Sequence, residues 1–180
     1  MKLPELAPFT EEDFDRLISW VTSEEVLRYW TASSFAFPLT RDHLQGHIRD
    51  AAQSGDRLIY KAIDPENGQV FGHVELGAIN HENRSTRIGR VLIDPAVKGK
   101  GHGVRLMQAA MAKAFDEMGM HRVDLWVFDF NSRAIACYER AGFQHEGKCR
   151  DFFRIGEEYW SMLIMSVLAP EWETLRPTLS

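Results

Sequence analysis

The first third of the chain has the apolar periodicity of helices. One set of apolar positions recurs at the i, i+3, i+4 and i+7 spacing that gives a helix one buried face: Phe14, Leu17, Ile18 and Val21. Thr10 is placed to cap this helix, with Asp13 as its capping-box partner. We predict a short second helix from Ser23 to near Trp30 and a third that begins after Thr40.

From residue 58 onward, strand patterns alternate with helical ones. The predicted strands are Leu58–Ile63, Val70–Ile79, Thr86–Asp94, Arg122–Phe130, about Gln144–Arg154 and about Glu158–Leu168. A helix is predicted from about Gly101 to Met118, since its apolar residues form one face. Large apolar residues occur on both faces of the strand 122–130, which places it in mid-sheet with helices on both sides. The order predicts a mixed α/β fold with an antiparallel front and a βαβ-like centre.

Length and composition indicate one ordinary globular domain. The chain has 180 residues, of which 44% are hydrophobic and 26% are charged. No apolar run approaches the roughly 20 residues that span a membrane, and the N-terminus lacks the apolar core of a signal peptide. Cys137 and Cys149 form no CxxC pair, which favours free buried thiols in a reducing cytosol. We therefore expect a cytoplasmic protein without a membrane partner.

The net charge of −5 argues against nucleic acid as a ligand and is compatible with a cationic one. The chemistry of the chain concentrates in the stretch VLIDPAVKGKGHG at residues 91–103, where a strand runs into a loop that opens a helix. Lys98 and Lys100 add positive charge, and the helix contributes the positive end of its dipole. Three residues let the backbone turn with its amides inward: Gly99, Gly101 and Gly103. This pattern predicts a site for a phosphate-bearing ligand, and we expect a diphosphate.

Two common nucleotide motifs do not fit this loop. A P-loop needs Ser or Thr after the lysine, but Gly101 follows Lys100. A dinucleotide fingerprint that starts at Gly99 needs glycine at 104, which is Val104. What fits is a basic residue followed by Gly-x-Gly, here Lys98-x-x-Gly101-x-Gly103. A glycine-rich turn of another nucleotide-binding α/β protein is the alternative interpretation of the loop taken alone.

A second motif lies thirty residues further on, Asn131-x-x-Ala134-x-x-x-Tyr138-x-x-x-Gly142-Phe143. Asn131 can cap a helix, Tyr138 follows two turns later, and Gly142 can supply the left-handed stop. Together the two motifs resemble those of the GNAT family of N-acetyltransferases. The chain looks closest to the branch of ribosomal-protein N-terminal acetyltransferases, through weak signals at residues 6–13, 25–29, 146–150 and 170–172.

The resemblance implies a single-domain acyl-CoA N-acyltransferase fold, with a mixed, mostly antiparallel central sheet flanked by helices on both faces. Acceptor-side helices would occupy about 10–55, a CoA-binding core about 86–143, and a closing hairpin about 144–168. The implied activity moves an acetyl group from acetyl-CoA, as co-substrate, to a primary amine of a small molecule or of a peptide or protein N-terminus. The amine would attack directly in a ternary complex, without a metal. A homodimer is common among similar proteins.

The resemblance also implies residue roles. The backbone of Val91 to Ile93 would pair with pantetheine, the loop amides would hold the pyrophosphate, and Tyr138 would protonate the coenzyme A sulfur. The cofactor-binding positions carried over are Val91, Leu92, Ile93, Lys98, Gly99, Lys100, Gly101, His102, Gly103, Val104 and Asn131.

This chain differs from the ribosomal-protein branch at the position of the general base. That branch has a Glu where this chain has Trp126, which cannot titrate. We favour Glu75 over Asp129, because burial on a central strand can raise the pKa of a carboxylate. Glu75 could instead pair with His73 or Arg90, and water could take the proton without a dedicated base. Trp126 also favours a noncatalytic acyl-CoA-binding module, whereas Tyr138 disfavours it.

Two further groups of residues carry competing interpretations. His43 and His47 have the i, i+4 spacing of a metal pair, but no third ligand accompanies them, so a solvated helix face is expected. The aromatic side chains of Trp30, Phe35 and Phe37 either line the acceptor pocket or form a packed lid.

Overall fold

A computed structural model describes residues 2–176. The helices are α1 (Phe14–Trp20), α2 (Glu24–Thr31), α3 (Arg41–Ser54), α4 (His102–Ala112), α5 (Ser132–Ala141) and α6 (Ala169–Leu175). The strands are β1 (Glu5–Pro8), β2 (Leu58–Ile63), β3 (Val70–Asn80), β4 (Ser85–Ile93), β5 (Arg122–Phe128), β6 (Gln144–Ile155) and β7 (Glu158–Leu168). No helix within these residues is long and apolar enough to cross a membrane.

The predicted caps begin the first three helices. The Thr10 amide donates to the Asp13 carboxylate at 3.0 Å, and a 3-10 turn at Glu11–Asp13 leads into α1. The Ser23 hydroxyl accepts from the Val26 amide at 3.2 Å, and that of Thr40 accepts from the His43 amide at 3.3 Å. Each side chain satisfies an amide that has no partner inside its helix.

All seven strands form one sheet in the order β1-β2-β3-β4-β5-β7-β6. Neighbouring strands are antiparallel except β4 and β5, which are parallel. The parallel ladder joins only residues 85–87 to residues 122–124. The prediction that the strand beginning at Arg122 lies in mid-sheet is confirmed, and so is the mixed, mostly antiparallel sheet.

Helices cover both faces of the sheet, as predicted. Successive strand residues point to opposite faces, and Ile59 and Tyr60 pack into two different clusters. Tyr60 belongs to a cluster with α4, which includes Leu106, Met107 and Met111. Ile59 belongs to a cluster with the first three helices, which includes Phe14, Leu17, Leu27 and Leu44. Strand β4 contributes to both clusters through Ile88 and Leu92, whereas β5 contributes only to the cluster with α4.

Some elements differ from the sequence patterns. Strand β1 and helix α6 were not predicted, because four and seven residues are too short to show a period. The helix predicted to reach Met118 ends its α-helical part at Ala112 and continues as a π turn over Lys113–Glu117. Strand β5 stops at Phe128 rather than Phe130. On the Trp126 face of β5 the covering groups are the side chains of Arg87 and Phe152.

Candidate active site

A cleft of about 570 Å³ opens where β4 and β5 diverge. The two strands pair only up to Arg87 and Asp124, so that from Ile88 and Leu125 onward the sheet splits into a V. Peptide groups on the inner edge of β4 therefore face the cleft instead of a neighbouring strand. In a closed ladder these N–H and C=O groups would bond to the neighbouring strand. Where the two parallel strands separate, the same groups are available to a ligand.

A β-bulge interrupts the pairing of β4 with β3, within the part of β4 that lines the cleft. Gly89 pairs with Glu75 and Leu92 with His73, so two residues of β4, Arg90 and Val91, face one residue of β3. Arg90 takes the left-handed conformation with φ of +47°, which is costly for a residue with a side chain. All residues from Ile88 to Ile93 line the cleft. The predicted pantetheine-pairing residues Val91, Leu92 and Ile93 thus lie along the inner edge of the V.

The loop after β4 brings its glycines to the cleft for different reasons. Gly99 and Gly101 are left-handed, with φ of +86° and +82°, and a Cβ on either would point into open space. Gly103 is helical, but a Cβ there would come within 2.9 Å of the Cys137 Sγ. Helix α4 therefore begins against α5, with its free N-terminal amides at the cleft. Lys98, His102 and Val104 also line the cleft. The structure does not place Lys100 in the lining.

Helix α5 forms another wall of the cleft. The Asn131 side chain caps it by accepting from the Ala134 amide at 3.2 Å, and Gly142 ends it with φ of +109°. Both Asn131 and Tyr138 line the cleft. Burial raises the pKa of Tyr138 well above its usual value, so the phenol is protonated at neutral pH. A protonated phenol in this place can donate a proton to an anion that forms in the cleft.

Three residues of α5 that line the cleft were missed by the sequence reasoning: Arg133, Cys137 and Arg140. Their i, i+4, i+7 spacing is a helical stripe that runs beside Tyr138, and this periodicity could have identified them. Burial raises the pKa of the Cys137 thiol. Cys137 and Cys149 are free and only partly buried.

The opposite part of the cleft is aromatic. We call it the acceptor side and define it by six residues: Tyr29, Trp30, Trp126, Phe128, Phe153 and Met162. Neither interpretation of the aromatic side chains in segment 30–37, pocket lining or packed lid, applies to all of them. Trp30 lines the cleft, whereas Phe35 stacks on His43 and meets His47 edge-on, and Phe37 is exposed.

Glu75 lies in a buried polar cluster and is not among the lining residues. Its carboxylate is 2.6 Å from His47 Nε2, 3.8 Å from Arg90 Nε and 4.0 Å from His73 Nε2. Burial opposes ionisation, but the hydrogen bond from His47 and the charge on Arg90 together hold the pKa of Glu75 below its usual value. The expectation that burial raises this pKa is wrong, because the cluster compensates the buried charge. The role of general base itself stays a prediction.

The expectation of a solvated helix face at His43 and His47 is wrong for His47. Its ring is buried, and its Nδ1 lies 3.3 Å from the Arg57 guanidinium while Nε2 meets Glu75. An arginine can only donate, so Nδ1 accepts and Nε2 donates. The sequence spacing could not reveal this contact, since it joins residues 28 positions apart.

The remaining base candidate, Asp129, forms an ion pair with Lys148 at 2.6 Å and does not line the cleft. Within residues 2–176, no group of three or more His, Cys, Asp or Glu side chains is placed to hold a metal ion.

The cleft fits acetyl-CoA. Left-handed glycines, the amides at the start of α4 and Lys98 form a cradle for a pyrophosphate, in which a Cβ at Gly101 would project into free space. The inner edge of β4 is an extended backbone of the right kind for a pantetheine amide. The cleft ends near a phenol that can serve a sulfur leaving group.

Comparison with known proteins agrees with this geometry. Residues 14–143 match the acetyltransferase (GNAT) family. Over 163 residues the chain is 30% identical to spermidine N(1)-acetyltransferase of Escherichia coli K12, covering 90% of this chain and 84% of the relative. It is also 30% identical, over 107 residues, to a putative ribosomal N-acetyltransferase of Bacillus subtilis, covering 59% of this chain and 58% of the relative.

Among solved structures, the fold is shared with spermidine N-acetyltransferase from Vibrio cholerae, crystallised in complex with CoA and spermine. The TM-score is 0.82, with 23% identity, and the match covers 95% of this chain and 98% of that one.

Proposed function

Because the chain belongs to the acetyltransferase (GNAT) family and is an acetyl-CoA-dependent N-acetyltransferase, we propose that its acceptor is the primary amine of a small molecule. The observation that carries the proposal is the cleft between β4 and β5, which joins the loop 98–104 and Tyr138 to an aromatic acceptor side. When bound, acetyl-CoA supplies the thioester carbonyl that the amine attacks. Every other part of the chemistry falls to residues of the chain.

The loop and the bulge hold the co-substrate. Lys98 and the amides from Gly99 to Val104 would bind the pyrophosphate, since they combine positive charge with unpaired N–H groups. The inner edge of β4 from Val91 to Ile93 would pair with pantetheine. Asn131, at the start of α5, would contact the cofactor arm. These assignments come from the family resemblance, and the lining of the cleft supports them, with Lys100 outside it.

Tyr138 acts as the general acid. Its raised pKa keeps the proton on the phenol at neutral pH until a thiolate forms next to it. A noncatalytic binding module would not need such a group.

The Tyr138→Phe variant tests this role. It is expected to lower kcat by about 10- to 1,000-fold while the Kd for acetyl-CoA holds, because only the proton donor is removed. Steady-state release of free coenzyme A measures kcat, and calorimetry measures Kd. The matched control is Tyr159→Phe, which removes an exposed hydroxyl on β7 and should leave kcat unchanged. An unchanged kcat in Tyr138→Phe would remove this tyrosine from the mechanism.

The contacts of Glu75 favour a positioning role over the role of base. Glu75 is 4% exposed and its carboxylate is bonded to His47. It also lies 3.8 Å from Arg90 Nε, and Arg90 lines the cleft at the bulge of β4. With no carboxylate or imidazole in the lining of the acceptor side, water or the bulk solvent takes the amine proton.

Glu75→Gln separates the two roles. If Glu75 positions Arg90, the variant should lose thermal stability, because Arg90 becomes a buried charge without its partner. The kcat should then fall less than about 10-fold, with the same pH profile. A general base would instead lose at least about 100-fold in kcat together with the rising limb of the pH profile. His43→Gln, which alters a half-buried capping residue of α3 that makes no contact with Glu75, is the control.

A second acceptor class is a peptide N-terminus. It is favoured by the match to the putative ribosomal N-acetyltransferase. The resemblance to the ribosomal-protein branch itself stays a prediction. Release of coenzyme A with a panel of small amines and short peptides tests the proposal. Turnover of the peptides but of none of the small amines would overturn the proposal of a small-molecule acceptor. The homodimer, the exclusion of nucleic acid and the division into acceptor-side helices, CoA-binding core and closing hairpin stay predictions.

A further inference from the structure

The alternation of β5 separates the acceptor side from the cofactor walls. Leu125 and Val127 point into the core that contains α4, so Trp126 and Phe128 point to the other face of the sheet. The strand register places Met162 of β7 directly beside Phe128 on that face. Three residues of the acceptor side, Trp126, Phe128 and Met162, therefore lie on one face of the paired strands β5 and β7, opposite the core that contains α4.

The aromatic rings on this face form a continuous surface. Phe128 lies 5.0 Å from Trp160 and 6.1 Å from Phe153, measured between ring centroids. Tyr29 of α2 reaches the same group through Trp160, at 6.0 Å. Phe128 is 3% exposed and Tyr29 is 41% exposed, so the surface has a buried floor and an open rim. Such a surface, which we call the aromatic slot, suits a flat apolar group that packs against its exposed rings.

The cleft offers no carboxylate of its own to a polycation. No Asp or Glu is among the cleft-lining residues of the described chain. Of the four cations that line it, Lys98 is assigned to the pyrophosphate, Arg133 and Arg140 lie on α5, and Arg90 is paired with Glu75. Two carboxylates close to the acceptor side are hydrogen-bonded within the protein. Glu25 accepts from the Tyr29 hydroxyl at 2.7 Å, and Asp124 accepts from Arg87.

The cation–π position on the indole is also taken, since the Arg87 guanidinium lies 4.3 Å from the Trp126 ring centre. A second ammonium group on the acceptor would lose hydration here and gain no carboxylate in return.

We infer that the acceptor is a monoamine carried on an apolar, planar body, and that the enzyme discriminates against polyamines. The inference rests on the proposed function and narrows its substrate class. The aromatic slot holds the body of the substrate, and the single amine reaches the bulge of β4 at the point of the V. The spermidine enzymes that share this fold would differ from this chain in the chemistry of the acceptor side and not in that of the cofactor walls.

A matched pair of amines tests the inference on the wild-type enzyme. Hexylamine and 1,5-diaminopentane differ only in a terminal methyl or ammonium group, and 2-phenylethylamine and spermidine represent the two substrate classes. We expect kcat/KM to be at least about 10-fold higher for hexylamine than for the diamine, and highest for 2-phenylethylamine. Equal or higher kcat/KM for the diamine or spermidine would overturn the inference while leaving the proposed function intact. Turnover of none of the four, with normal binding of acetyl-CoA, would count against the small-molecule acceptor itself.

A charge variant provides a second test. Tyr29→Glu places a carboxylate on the acceptor side at an exposed position, and Tyr29→Leu removes the ring without adding charge. The preference for hexylamine over the diamine should fall by about 10-fold or more in Tyr29→Glu relative to Tyr29→Leu. An unchanged ratio between the two variants, both shown to be folded by circular dichroism, would contradict the electrostatic argument. So would a diamine preference in the wild type that Glu25→Gln removes.

Discussion

At the scale of single residues, the glycines of the loop show how one residue type serves two physical needs. Gly101 is the residue before α4 and has φ of +82°, a conformation that a side chain makes costly. Gly103 lies within the helix, where Cys137 of α5 packs too closely to leave room for a side chain. Both keep the backbone amides of the loop near the cleft, one by conformation and the other by close approach.

Gly101→Glu should abolish binding of acetyl-CoA. The new side chain would project into the space at the start of α4, and its negative charge would repel the pyrophosphate. Calorimetry with acetyl-CoA measures the effect. Gly156→Glu is the matched control, because Gly156 is also left-handed, with φ of +63°, but lies in the turn between β6 and β7. Wild-type affinity in Gly101→Glu would refute the assignment of the loop.

At the scale of elements, the last helix closes the structure around the end of α5. Helix α6 contributes Trp172 to the core, where its ring stacks on Phe115 at 5.7 Å. Its indole also donates to Asp116 at 3.0 Å. The same helix places Leu175 against Gly142, the left-handed residue that ends α5. The helix that carries Tyr138 is therefore held at its C-terminal end by an element distant in sequence.

Gly142→Ala should lower the free energy of unfolding more than Gly156→Ala does. Both changes put a Cβ on a left-handed residue, at a cost of roughly 1–2 kcal/mol. At Gly142 that Cβ would also collide with the side chain of Leu175, which adds roughly 1–3 kcal/mol, whereas at Gly156 it meets nothing within 4 Å. Urea unfolding of the two variants measures the difference. Equal losses of the free energy of unfolding in the two variants would show that α6 moves away from the new Cβ at no cost.

At the scale of the whole molecule, the sheet that splits at its centre is tied together beyond the split. Glu146 of β6 accepts from Arg122 of β5 through both carboxylate oxygens and from Ser166 of β7. These contacts span three strands on the side of the sheet where β4 and β5 still pair. The hydrogen bonds from Arg122 and Ser166 lower the pKa of Glu146 to about 2.

This tie predicts how stability depends on pH. The pKa of Glu146 is lower in the folded protein than in the unfolded chain. Its contribution to the free energy of unfolding is therefore complete above the usual pKa near 4.5 and is lost as the pH falls toward about 2. Glu146→Gln should therefore have a lower Tm than the wild type at pH 7, and the gap should narrow by about pH 3. Glu157→Gln, which breaks an exposed ion pair with Arg154, is the control and should show little effect. A gap that stays constant with pH would contradict the assignment.

Features that depend on neighbours in sequence could be predicted from the sequence. Capped amphipathic helices, the alternation of strands, the Lys98–Gly103 loop and the capped helix with Tyr138 are all encoded within about fifteen residues. The family and the co-substrate followed from the loop and the Tyr138 helix, because both motifs need particular residue types at fixed spacing.

Only the tertiary structure decided what depends on contacts between distant segments. Strand β1 exists because β2 offers it an edge, and His47 is buried because Glu75 lies opposite it, 28 positions away. The split between β4 and β5, the bulge at Arg90 and the aromatic acceptor side are likewise properties of the assembled sheet. Local sequence therefore indicated the loop and the helix that we propose to hold the acetyl donor. The acceptor side, which we propose to select the substrate, is made by the packing of α2, β5, β6 and β7, which no local pattern encodes.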